Sequence, residues 1–286
     1  MRQANTPARA PASASRANAY GRLRERWPRL HLTDREPWPD ERLVGALAGR
    51  HPSLALWLES RAGAAGVARV LQEAWHEFHE GEFARAKRLG ESLGPFGATV
   101  ANKAVAVDSL YSRRGDAELL KALETAIERG ERAVAELADQ PNTHYTLALI
   151  LGRYSQRISI VKALATGLAG RVRQHLERAL ALEPRHAEAH LAFGLFHAEI
   201  VAKLGSLAAN LAYGVSQREA LDHFRQALAL APPSPIVHME FAHGLMLLDA
   251  SRYREQAERL YRDAAACEPA DAMERLDAER ARRGLP

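Results

Sequence analysis

Cysteine is all but missing from this chain: Cys267 stands alone among 286 residues. With no second thiol there is no intramolecular disulfide, no CxxC redox pair and no cysteine knuckle for zinc, so packing and polar pairing must hold the fold. A reducing compartment suits such a chain, and a cytoplasmic location is expected. Aromatic residues are scarce at 6%, while alanine and leucine abound, which disfavours a β-branched, aromatic sheet core and favours helix. No Asn-Gly hairpin turn or alternating strand pattern occurs. Lysine is rare, five against 34 arginines, a bias that fits the coding habit of a GC-rich bacterium.

Long apolar runs are missing too. The longest apolar stretch, Leu191 to Val215, contains His197, Glu199, Lys203 and Asn210, too many polar groups for burial in lipid, so no transmembrane segment is expected. No apolar segment follows the N-terminal arginines, so no secretory signal is expected either.

Catalytic signatures are equally thin. Neither Gly-x-Ser-x-Gly nor a Cys/His motif occurs, and Gly167-Leu168-Ala169-Gly170-Arg171 lacks the Lys-Ser/Thr ending of a phosphate loop. His76 and His79 flank Glu77, but zincin chemistry needs two histidines four residues apart, and the fourth place holds Glu80. His79 therefore reads as part of a polar helix end. The expectation is a protein that is not an enzyme and has no cofactor and no metal.

What charge there is lies unevenly. Residues 1–30 carry seven arginines against Glu25 alone, a net of +6, which leaves −2 for the rest of a chain whose total is +4. An Arg-, Ala-, Pro- and Ser-rich tail buries too little apolar surface to offset its chain entropy, so residues 1–38 read as a disordered basic leader. Without interleaved stacking aromatics it predicts no specific nucleic-acid partner.

Against these absences stands a phrase that recurs. Ala179-Leu180-Ala181-Leu182-Glu183-Pro184 and Ala227-Leu228-Ala229-Leu230-Ala231-Pro232 match position for position, with His190 and His238 equally far beyond, and Ala264-Ala265-Ala266-Cys267-Glu268-Pro269 is a weaker third copy. Apolar helix ends closed by proline at regular intervals are the signature of stacked helical pairs. The unit 186–232 places His190, Phe193, Gly194 and His197 on its first helix and Ala220, Phe224 and Ala227 on its second. The unit 235–269 supplies His238, Phe241, Ala242 and Leu245, then Ala257, Tyr261 and Ala264.

These residues resemble the tetratricopeptide repeat (TPR), a helix–turn–helix of about 34 residues. The resemblance implies an all-α solenoid of antiparallel helix pairs with a right-handed superhelical turn. It divides the chain into degenerate pairs over 39–140, TPR-like repeats over 141–269 and a capping helix over 270–286 whose polar outer face ends the array. Two units are too long, and the surplus falls between their helices, near 158–170 and 202–217. Both insertions are apolar: Ile158, Ile160, Val161, Leu164 and Leu168 in one, Leu204, Leu207, Leu211, Tyr213 and Val215 in the other. Such insertions resemble those of the regulator-of-microtubule-dynamics proteins and of bacterial TPR proteins associated with TRAP transporters.

The resemblance implies a scaffold that holds a protein or peptide partner on its concave groove, whose lining is expected to include Leu149, Arg153, Arg157, Leu191, Leu195, Glu199, Met239, His243 and Met246. The Lys/Asn set that clamps a C-terminal carboxylate in co-chaperone repeats is absent, and an amphipathic helix or extended segment suits the apolar positions better. Two competing readings stay open. The insertions or the C-terminal helix fill this groove as core, or the insertions enclose a cavity for an apolar, lipid-like small ligand linked to solute transport.

Overall fold

The alanine- and leucine-rich composition is realised as helix throughout. The structure is a computed structural model that describes residues 12–60, 63–111, 115–159, 162–163 and 166–284, and no strand occurs among them. α1 (Ala12–Leu30), α2 (Glu41–Arg50) and α3 (Pro52–Glu59) lead into three successive pairs: α4 (Gly63–Glu80) with α5 (Phe83–Ser92), α6 (Ala98–Tyr111) with α7 (Asp116–Glu136), and α8 (Pro141–Ser155) with α9 (Leu168–Leu182). In the next pair, α10 (Ala187–Leu204) and α12 (Gln217–Leu230), the insertion forms a short helix of its own, α11 (Ser206–Tyr213). α13 (Pro235–Ala266) supplies both helices of the last pair, and α14 (Ala272–Gly284) packs against it.

Local chemistry sets these boundaries. Asp40 caps α2 by accepting from the Leu43 amide at 2.9 Å, and Pro52, Pro141 and Pro235 occupy first helical positions where a missing N–H costs nothing. Within α13 the backbone turns extended at Asp249, whose Oδ1 accepts from the amides of Ser251 and Arg252 at 3.1 and 3.0 Å and so caps the second half.

The recurring phrase is a packing register. Ala179, Ala227 and Ala264 are each fully buried, letting the next pair approach. The histidines beyond it tie unit to unit: His144, His190 and His238 donate from Nε2 to the carbonyls of Ala138, Pro184 and Pro232 at 3.0, 3.0 and 2.7 Å. In the first two, Nδ1 accepts from Nδ1 of His175 or His223 on the second helix of the same pair at 3.0 and 2.9 Å. Burial lowers the pKa of His175 and His223 to about 4, keeping the pairs neutral.

One expectation fails. The leader does not extend to residue 38: α1 is helical, Leu23 and Trp27 are core, and Trp27 stands edge-on to Trp38 and Trp75 with ring centres 5.0 and 5.9 Å away. The arginine count concealed a helix on which Leu23 and Trp27 face inward. α14 does turn a polar face outward, with Arg275, Arg280, Arg282 and Arg283 exposed, but its other face reaches into the fold, where Asp277, Ala278 and Ala281 are buried. The second insertion is a helix as described, while Ile160, Val161 and Leu164 of the first lie outside the described residues.

Phe224 fills the space between α10 and α13 because glycine faces it on both sides: a Cβ on Gly194 would lie 2.7 Å from its ring, and one on Gly244 closer still. Gly244→Ala is expected to cost about 1–3 kcal/mol through overpacking, read as a lowered denaturant midpoint, and adding Phe224→Leu should recover part of the loss.

Candidate functional site

The inner faces of the first helices hold a segment of the chain itself. After α1 the backbone turns at Arg35, the one non-glycine with positive φ among the described residues, and runs outward to Asp40. Along this path the Glu188 amide of α10 donates to the Thr33 carbonyl at 3.0 Å, and Asn142 Nδ2 of α8 donates to the Asp34 carbonyl at 3.0 Å and to Glu36 Oε2 at 2.6 Å. Lys103 Nζ of α6 donates to Asp34 Oδ2 at 2.5 Å and lies 3.0 Å from Glu188 Oε2, while Thr33 Oγ1 donates to Glu188 Oε1 at 2.6 Å. Lysine and asparagine do clamp an acidic segment, but that segment is internal.

A second chain of contacts continues toward the C terminus. His31 Nδ1 is 2.8 Å from Asp34 Oδ1, its Nε2 is 3.1 Å from His79 Nε2, and His79 Nδ1 is 2.6 Å from Asp271 Oδ2. His79 is thus buried, not part of a polar helix end. Arg29 grips Glu274 with two bonds of 2.8 and 2.9 Å, and Tyr111 of α6 donates to Asp277 Oδ1 at 2.5 Å. Residues 31–36 and α14 together occupy the groove, as the competing reading had it for the C-terminal helix.

Electrostatics follow from this enclosure. Burial opposes the charge on Lys103, but Asp34 and Glu188 outweigh it and raise its pKa. Burial likewise opposes the Asp34 carboxylate, yet His31 and Lys103 hold it well below the usual range. Asp277 is the contrary case: burial pushes it up to about 8 against the Tyr111 bond, helped by Glu240, Asp271 and Glu188 nearby, and its Oδ2 has no partner among the described residues. Burial and the neighbouring Asp34 push Glu36 up to about 8 as well.

The open concavity lies elsewhere, between α8, α9, α10 and the two insertions. It encloses about 340 Å³, with Leu149, Leu168, Val172, Leu176, Ala192, Leu195, Phe196 and Ile200 as its walls. Ile158 and Ala163 of the first insertion and Leu204 and Tyr213 of the second line it too. Its polar groups are few: Arg153, Ser155, Gln156, Glu199 and Lys203, with Gln156 Nε2 donating to Glu199 Oε1 at 2.6 Å. Arg153 is only loosely held, 3.9 Å from Glu240, and its buried Nε has no partner among the described residues. Leu149, Arg153 and Leu195 are shared with a smaller cavity of about 80 Å³ that reaches Lys103, Glu188 and Asp277.

Of the positions expected to face a partner, the structure brings Leu149, Arg153, Leu195 and Glu199 to this cleft. Leu191 and Met239 are only 4% and 3% exposed, the first packed in the core around Phe224, the second beneath α14 against Ala264 and Ala281. Arg157 turns away to the Ser109 carbonyl and Asp116. His243 is exposed and Met246 half-buried, and neither lines the cleft. The expected groove is thus closed at Leu191 and Met239, because two segments remote in sequence fold into it. Lys103 was overlooked although it is the one charge in the otherwise uncharged run from Ala98 to Val107, a signal that a paired charge lies buried there.

Lys103→Met is expected to lose about 3–5 kcal/mol of stability by leaving Asp34 and Glu188 buried without their cation, measured by denaturant titration. The raised pKa of Asp277 means that the folded chain holds a proton the unfolded chain has released. Its contribution is complete at low pH and is lost as pH rises through about 8. Stability should therefore fall for this group as pH rises from about 4 to about 8 and level off above that, with Glu36 acting in the same window. Asp277→Asn should visibly flatten that drop in pH-dependent unfolding.

No curated protein matches the chain. Among solved structures, a thermophilic TPR protein from Thermus thermophilus superposes with a TM-score of 0.54 at 19% identity, covering 76% of this chain and 99% of its own, a likeness of fold. The family described as Regulator of microtubule dynamics protein 1-3 matches residues 100–283, from α6 to α14. With its stacked helical pairs, its intervening insertions and a family match spanning more than half its length, the chain belongs to the regulator of microtubule dynamics protein 1-3 family.

Proposed function

We propose that this is a non-catalytic binding protein whose ligand enters the cleft between the two insertions, and that the ligand is an apolar chain with a polar end. One observation carries this reading: the groove such repeats commonly offer is filled by the chain's own segments, whereas both insertions contribute apolar walls to a concavity of about 340 Å³. That volume and its composition, mostly hydrophobic with a few convergent polar groups, are those of a small-molecule site. Arg153, with its unpartnered Nε, supplies the donor for a carboxylate or phosphate end.

A protein partner is the second reading, favoured by the TPR-like fold and by exposed Leu207 and Leu211 beside the cleft's rim. Its anchor would be the apolar face of an amphipathic helix seated in the cleft. A partner laid along Leu191 and Met239 would have to displace core, so that form of the groove is set aside.

Displacement of a fluorescent fatty-acid probe by saturated fatty acids of increasing length separates the two. A chain-binding cleft predicts affinity rising about fourfold per methylene until the cleft is full. Gly152 lines the cleft with open space beside it, so Gly152→Phe should fill the site and abolish probe binding while leaving the fold intact. Probe binding that is independent of chain length and indifferent to Gly152→Phe would sink the proposal.

A further inference from the structure

We propose that α11, together with Lys162, forms a tip that seats in the plane of an anionic lipid bilayer without crossing it. The inference goes beyond the cleft and holds whatever the cleft contains.

The tip begins at Gly205. Its φ of 77° and ψ of 155° belong to a region open essentially to glycine, and there the chain bends by 120° from α10 into α11. Gly214, also left-handed, ends α11, and Arg173 Nη1 fixes its end by donating to the Tyr213 carbonyl at 2.7 Å. One side of α11 belongs to the fold: Ala209 is fully buried and packs with Val201 and Val215. The other side carries Leu207 and Leu211, one turn apart and 77% and 79% exposed. Leu56, on α3, is the other strongly exposed large apolar residue described. The two leucines stabilise nothing within the chain, so their cost in water needs another explanation.

Charge selects the occupant. The stretches 158–170 and 200–217 together contain two lysines, Lys162 and Lys203, and no carboxylate, where the chain's average would place about four Asp or Glu in that length. Both lysines are exposed: Lys162 lies over the Tyr154 ring at 5.4 Å, and Lys203 has Glu199 one turn back at 3.6 Å. Ile158 and Ala163 share the cleft's lining with Leu204 and Tyr213, which puts the described parts of both insertions at the same cleft. Leucines projecting outward, flanking lysines and missing acids are the recognition chemistry of an anionic membrane surface. A helix of eight residues reaches about 12 Å, far short of the roughly 30 Å hydrocarbon core, so the contact is in-plane. A stable protein interface needs about 800 Å² per partner, and two leucines on a short helix offer no such area.

Flotation of the full chain with phosphatidylcholine vesicles, with and without about 30% phosphatidylglycerol, tests this. Binding is expected to the anionic vesicles, weakened at high salt. Leu207→Glu/Leu211→Glu should lower it at least about tenfold without moving the thermal unfolding midpoint, since neither side chain is packed. The arginines before residue 30 add a purely electrostatic attraction, so the leucine pair is decisive. No flotation, or flotation that survives the double substitution, overturns the proposal. So does a solution dimer that the same substitution dissolves while vesicle binding is absent.

Discussion

The fold depends on one buried ammonium. Lys103 stands on α6, among alanines and valines, and its charge is tolerable there only because Asp34 and Glu188 reach it from the N-terminal segment and from α10. Those three residues come from three parts of the chain separated by 69 and 85 positions. None is properly solvated unless all three arrive, so the ion cluster specifies where residues 31–36 must lie. The remaining polar contacts extend from it: His31 and His79 carry the contact to Asp271, and Asn142 fastens the backbone alongside. Electrostatics here select one arrangement; the apolar burial around Trp75, Phe78 and Phe224 supplies the bulk of the stabilisation.

That division explains what could be read from the sequence. Helical pairs announced themselves through periodicity and proline stops, because packing of a small residue such as Ala227 beneath an aromatic such as Phe224 is local and repeats. The surplus between the helices of two units was visible for the same reason, as a departure from a regular spacing. Residues 31–36 could not be foreseen, since nothing local marks Asp34 or Glu36 as buried acids; their partners lie 69 and 106 positions onward. Four of the nine expected groove positions, Leu149, Arg153, Leu195 and Glu199, line the larger cleft, because their helical spacing puts them on one side of α8 and α10. Leu191 and Met239 do not, because face assignment says nothing of which distant segment will cover that face.

Glycine, rather than any charged residue, separates the parts of the surface that serve the fold from those that do not. At Gly194 and Gly244 it lets α10 and α13 close on Phe224, while at Gly205 it turns the chain out of the array. The same residue type, used for close approach in one place and for an otherwise forbidden dihedral in another, yields a rigid frame with a projecting element attached. The cleft lies at the junction of the two.

The bidentate contact between Arg29 and Glu274, 245 positions apart, has a further meaning. An open helical array is stable in proportion to its neighbours, so it frays from either end and tolerates the loss of a terminal unit. The contact ties α1 to α14, so loosening at either is felt by the other, and cooperative unfolding of the pairs between them is the expected consequence. During synthesis α1 must wait for almost the entire chain before its final partner exists.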